Sequence, residues 1–161
     1  MSSGCAFYVN PESLLFHVTD DRGLDAILKE GIRPQVRSAW TGAYGQEIKK
    51  PGYIYAFSTL NDALAFTGRK VWDGSSTAIV VVFEDSLQDW EKDPHWESVG
   101  AMGNWLMKRG SISFDQVIDA IPVSSDSIGL FRRIAFSAGK DPEELTYAEY
   151  LEGVGMKWNP R

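Results

Sequence analysis

His17 stands in the middle of an apolar hexapeptide, Leu14-Leu15-Phe16-His17-Val18-Thr19. An imidazole so placed is read in one of two ways. It is a core histidine whose ring nitrogens bond backbone groups, or it is a polar handle that a strand presents to a ligand. Tyr53, Tyr55 and Phe57 alternate with Ile54 and Ala56, and Phe66 follows nine residues later. Aromatic rings at these positions are ordinary strand and core residues, or flat faces on which a heterocycle stacks. Other chemistries leave no trace. There is no Walker-type phosphate loop, no dinucleotide glycine fingerprint, no nucleophile elbow and no pair of metal-spaced ligands.

The elements that would carry these residues follow from periodicity. Leu14–Thr19 predicts a buried strand, with Leu14, Phe16 and Val18 on one face and Leu15, His17 and Thr19 on the other. A helix is predicted from about Arg22 to Glu30, capped by Asp20 or Asp21. Its apolar face is Leu24, Ile27 and Leu28, and Gly31 is placed as a left-handed C-cap. Gln35–Gly52 is a long polar connection containing Trp40, Tyr44 and Glu47, a length that in compact domains goes with function or disorder. Tyr53–Phe57 predicts an aromatic strand and Leu60–Phe66 a helix, with Thr59 and Asp62 spaced as a capping box. Ala78–Phe83 predicts a central strand, and Glu84–Gly103 reads as irregular. Trp105–Lys108 and Val117–Val123 predict two more strands, separated by the turn-like Arg109-Gly110-Ser111. From Asp126 the pattern is helical. Phe131, Ile134, Ala135 and Ala138 form a stripe that Gly139 ends, and Asp141-Pro142 opens a further helix. Strands in the middle and helices at both ends make an α+β class, expected as one domain over 1–161 with a helical extension from about 126.

Composition bounds the function. At 161 residues, 43% hydrophobic and 24% charged, the chain has the make-up of one globular domain. Cys5 is its single cysteine and it has two histidines, which excludes a disulfide framework and multi-cysteine or histidine-rich metal centres. No apolar run approaches the roughly 20 residues of a membrane helix, and Met1–Ala6 lacks the basic and apolar regions of a signal peptide. The expectation is a cytoplasmic protein without a membrane partner. A net charge of −6 disfavours a general nucleic-acid binder, whose affinity comes largely from basic surface.

The order of the motifs narrows the field. Leu14-Leu15-Phe16-His17-Val18-Thr19, Leu24 and Ile27-Leu28-Lys29-Glu30-Gly31-Ile32-Arg33-Pro34 are followed by Ile54-Tyr55-Ala56-Phe57-Ser58 and Asn61-Asp62-Ala63-Leu64-Ala65-Phe66. This succession resembles the catalytic domain of poly(ADP-ribose) polymerases, and with it the ADP-ribosyltransferase superfamily. Diphtheria-toxin-like enzymes, bacterial ADP-ribosylating toxins and RNA 2′-phosphotransferases are related. The resemblance runs from Leu14 to about Phe83 and more faintly to Val123. It implies a split antiparallel sheet with flanking and C-terminal helices, and NAD⁺ as ligand or substrate.

The resemblance also implies roles. His17 would bond the adenosine-side ribose, and the Val18 backbone would recognise the nicotinamide amide although the family usually has glycine there. Tyr55 and Phe66 would sandwich the nicotinamide ring, with Thr19 and Ser58 in the same nucleotide-binding set. Ala63 replaces a serine that many members use to bond the amide. The family's catalytic glutamate, on a late strand, falls at Asn104 or Trp105, neither of them acidic; Glu97 is a carboxylate that a loop would bring in. Two functions of different class follow. One is an enzyme transferring ADP-ribose from NAD⁺ to a target left open, macromolecules included, with Gln35–Gly52 as a cover. The other is a module that holds NAD⁺ or an ADP-ribose-type nucleotide without turnover. Lys108 and Arg109 suggest a third, an RNA 2′-phosphotransferase-like enzyme, against which the acidic net charge argues.

Overall fold

A computed structural model of the chain describes residues 14–34, 52–69, 78–92, 105–124 and 126–156. Six strands form one antiparallel sheet: β1 (Leu14–Asp20), β2 (Tyr53–Phe57), β3 (Ala78–Glu84), β4 (Glu91–Lys92), β5 (Trp105–Arg109) and β6 (Val117–Val123). Their spatial order is β4-β5-β2-β1-β3-β6. The helices are α1 (Asp21–Glu30), α2 (Leu60–Arg69), α3 (Ser127–Ser137) and α4 (Tyr147–Gly153).

Both faces of the sheet are covered, so its central strands are buried on both sides. Leu14, Phe16 and Val18 pack with Val80, Val82, α2, α3 and α4, while Leu15 packs with Ile79, Val81, Phe83 and Ile27 of α1. This alternation is the one periodicity predicts for β1. Asp20 caps α1, its carboxylate accepting the Gly23 N–H at 2.8 Å. Ile27 is buried, but Leu28, assigned to the apolar face of α1, is 49% exposed. Gly31 has the positive φ expected of it, +80°, with an extended ψ of −172° instead of the left-handed helical value. That geometry turns the chain straight into a two-way backbone bridge between Ile32 and Ile112, at 2.9 and 2.8 Å.

Three elements differ from expectation. Helix α2 continues to Arg69, past Phe66, so that Phe66 lies inside it. The segment after Glu84 contains a 3-10 turn, Leu87–Asp89, and the short edge strand β4. Strands β5 and β6 form as expected and lie in opposite halves of the sheet, the connection running through Ile112 and a 3-10 turn at Phe114–Gln116. At the C-terminal end Gly139 stops α3 at φ +70°. Asp141 and Pro142 open only a 3-10 turn, Pro142–Glu144, before Thr146 and Glu149 build the capping box of α4. Tyr147, fully buried, donates its hydroxyl to Asp119 Oδ2 and ties α4 to β6.

Candidate functional site

The sheet consists of two well-paired halves joined at a narrow seam. Strand β1 is in register with β3 along its whole length, Leu14↔Glu84 to Asp20↔Ala78, and β2 with β5 from Tyr53↔Arg109 to Phe57↔Trp105. Between β1 and β2, however, the ladder is confined to Phe16↔Phe57. Were it to continue, Val18 would stand opposite Tyr55. Instead the strands part, and His17 Nδ1 donates to the Tyr55 carbonyl at 2.7 Å. A carbonyl only accepts, so the ring proton on that side belongs to Nδ1, and the neutral ring then carries its acceptor lone pair at Nε2. His17 is half-buried.

Alternation places the His17 side chain on the α1 face and the Tyr55 side chain on the α2 face. The structure therefore brings the two residues together through the backbone of Tyr55, with the Tyr55 ring 9% exposed on the other side. Phe66 belongs to a separate group. It is 6% exposed and packs 5.3 Å from the Phe57 ring and 5.4 Å, edge-on, from Trp105. Phe57 and Trp105 close the triangle at 5.3 Å. Trp105, the first residue of β5 and one of the two late-strand candidates, thus sits beside Phe66.

Val18 is buried in the α2-side core and stands opposite Val80 of β3. Thr19 turns its hydroxyl toward the first turn of α1, where a Cβ on Gly23 would lie 1.9 Å from Thr19 Oγ1. Ser58 is buried directly after β2, and Ala63 is buried in the α2-side core. Asn104 and Glu97, like Trp40, Tyr44 and Glu47 of the long connection, lie outside the described residues.

The two basic residues of β5 are engaged structurally. Lys108 Nζ forms an ion pair with Asp85 Oδ2 at 2.7 Å, and the Arg109 guanidinium lies 5.2 Å over the Tyr53 ring. Asp85 also accepts from Trp90 Nε1 at 2.8 Å and Gln116 Nε2 at 3.1 Å. Burial works against its charge, yet the Lys108 and Trp90 hydrogen bonds prevail and hold its carboxyl below the usual range.

Two groups escaped sequence reading. Glu91 of β4 stands opposite Met107, which stands opposite Tyr55. Residues aligned across antiparallel strands share a face, so Glu91 is a carboxylate on the Tyr55 side, about 10 Å away at two strand spacings. A two-residue strand shows no alternation from which to find it. The second group is Glu143 with Asp62, two carboxyls from distant parts of the chain that meet at the start of α2. Among the described residues, no three His, Cys, Asp or Glu side chains gather as a metal ion would require, and no helix is long and apolar enough to cross a membrane. Compared with models of known protein families and with curated protein sequences, the chain matches none.

Proposed function

We propose that the seam between β1 and β2 binds NAD⁺ and that the chain is an ADP-ribosyltransferase-like protein transferring ADP-ribose to a nucleophile on an acceptor. The observation that carries this reading is the parting of the two half-sheets after Phe16↔Phe57, with the His17 ring holding the Tyr55 carbonyl where the ladder stops. A sheet that opens at its centre, with an imidazole on one lip and an aromatic strand on the other, suits a flat, extended dinucleotide. It also fits the split sheet implied by the motif order.

In this reading His17 Nε2 accepts a ribose hydroxyl, and the Val18 backbone, beyond the end of the β1–β2 ladder, meets the carboxamide. The Tyr55 ring and the Phe66 group flank the nicotinamide on the α2 face, Thr19 and Ser58 complete the nucleotide-binding set, and Phe66 yields its contacts with Phe57 and Trp105 to the ligand. The C1′–nitrogen bond breaks with its electron pair passing to nicotinamide. The acceptor's nucleophile attacks C1′ and gives up its proton. A carboxylate stabilises the positive charge on the sugar as it develops; Glu91 is the described candidate, beside Glu97 from the sequence, whereas the uncharged Asn104 amide would only hydrogen-bond a ribose hydroxyl. Strand β5 itself has no acid between Trp105 and Arg109. That one fact favours the second reading, a module that binds the nucleotide without turnover. The phosphotransferase-like reading is weakened by the ion pair that occupies Lys108.

Incubation with NAD⁺ separates these readings. Continuous nicotinamide release supports the transferase, and saturable binding without release supports the module. Tyr55→Ala weakens NAD⁺ binding about 5- to 30-fold, the equivalent of about 1–2 kcal/mol of ring stacking. If Glu91 carries the charge-stabilising role, Glu91→Gln lowers release by roughly 10²-fold with little change in affinity. No detectable NAD⁺ binding to the intact protein would sink both readings.

A further inference from the structure

The 3-10 turn Pro142–Glu144 is hydrogen-bonded to the start of α2 through the Glu143 side chain. Glu143 Oε2 accepts from Thr59 Oγ1 at 2.8 Å, and Glu143 Oε1 accepts from Asn61 Nδ2 at 2.6 Å. Asp62 stands in the same turn, its N–H donating to Thr59 Oγ1 at 3.2 Å, and its carboxyl is near enough to Glu143 to push that group upward. Asp62 Oδ2 is closed off from solvent, and no N–H or hydroxyl of the described residues donates to it. Two ionised carboxylates in contact at a half-buried site repel and leave that oxygen unsatisfied. One proton between them removes both costs.

We propose that Asp62 and Glu143 share one proton, that this proton fastens the Pro142–Gly153 segment to α2, and that its loss above neutral pH loosens the segment. Charged groups of both signs stand on the adjoining described elements. Arg132 of α3 directs its Nε to the Asn61 amide oxygen at 3.3 Å, and Asp141 and Glu144 flank Glu143 on its own turn with further negative charge. Burial and the Asp62 carboxyl push Glu143 up from its ordinary 4.5 to about 7. The folded chain therefore keeps a proton that the unfolded chain releases. The resulting stabilisation is full below pH 4.5 and is lost as pH rises toward about 7. Beyond that the pair carries two charges. This device is independent of the nucleotide reading, although it holds one end of the helix that carries Phe66.

Carboxyl carbon-13 NMR on the intact protein tests it, together with amide exchange over Glu143–Leu151 corrected for base catalysis. One of the two carboxyls is expected to hold its proton through the mid-acid range and titrate near neutrality, with exchange in the segment quickening severalfold across the same step. In Asp62→Asn the new amide donates to Glu143, no proton is needed, Glu143 titrates lower than in the unaltered chain and the exchange step disappears. Ionisation of both carboxyls below pH 5 in the unaltered chain overturns the proposal, as does an exchange step that survives Asp62→Asn. The titration of the unaltered chain decides by itself if that variant does not fold.

Discussion

Single residues in this chain are constrained most where two elements touch through one atom. Gly23 is such a place, because the Thr19 hydroxyl occupies the volume that any Cβ would need. Gly23→Ala is expected to lower unfolding free energy by about 1–3 kcal/mol through overpacking, even though alanine is the better helix former. Thr19→Ala in the same chain should restore part of it, and denaturant unfolding of the two variants reads both effects. His17 shows what sequence reveals about one side chain. Its strand, its face and its choice between backbone and ligand were legible from Leu14 to Thr19. The partner, a carbonyl 38 positions away, was not, because it depends on where a ladder stops. Glu143 was hidden for the same reason: nothing in Asp141-Pro142-Glu143 announces a second carboxyl from α2.

Elements were legible wherever a pattern ran long enough to repeat. The bounds of β2 and β6 match the predicted ones, and β1, β3, β5 and α1 differ by a residue or so. What sequence left open or misplaced were features decided by partners. The glycine turn after β5 looks local, yet β5 belongs to one half-sheet and β6 to the other. Phe66 looked like a helix terminus because the polar residues after it end the apolar stripe, while the backbone hydrogen bonds of α2 continue. Gly31 connects these levels. A Cβ there would fall 2.1 Å from the Ile112 carbonyl oxygen, at a φ that side chains rarely adopt. Gly31→Ala is expected to cost about 1–3 kcal/mol for the backbone conformation alone, with more for the displaced bridge. Amide exchange at Ile32 and Ile112 should accelerate ahead of the rest of the sheet. Uniform acceleration throughout would place the damage elsewhere.

For the whole molecule, the charged network around Asp85 and the carboxyl pair at α2 give opposite responses to pH. Asp85 has a depressed pKa, so its contribution is present above the ordinary carboxyl value of 3.8 and disappears as pH falls below it. Glu149, held down by Lys140 and the Thr146 backbone, adds in the same direction. Lys108→Met should accordingly lower Tm clearly at pH 7, and the gap from the parent should narrow progressively as the pH falls below 3.8. A gap that stays constant would mean that Lys108 acts through packing of its stem. The rims of the sheet bear on how the protein behaves at high concentration. One outermost strand, β4, is two residues long and made of Glu91 and Lys92; the other, β6, contains Pro122, which has no N–H to give, and the exposed Asp119. Among the described residues, neither margin offers a long, neutral row of amides and carbonyls on which a foreign strand could lengthen the array. Fibrous self-association through these margins is thereby discouraged, and replacing Pro122 with valine removes one of the two guards.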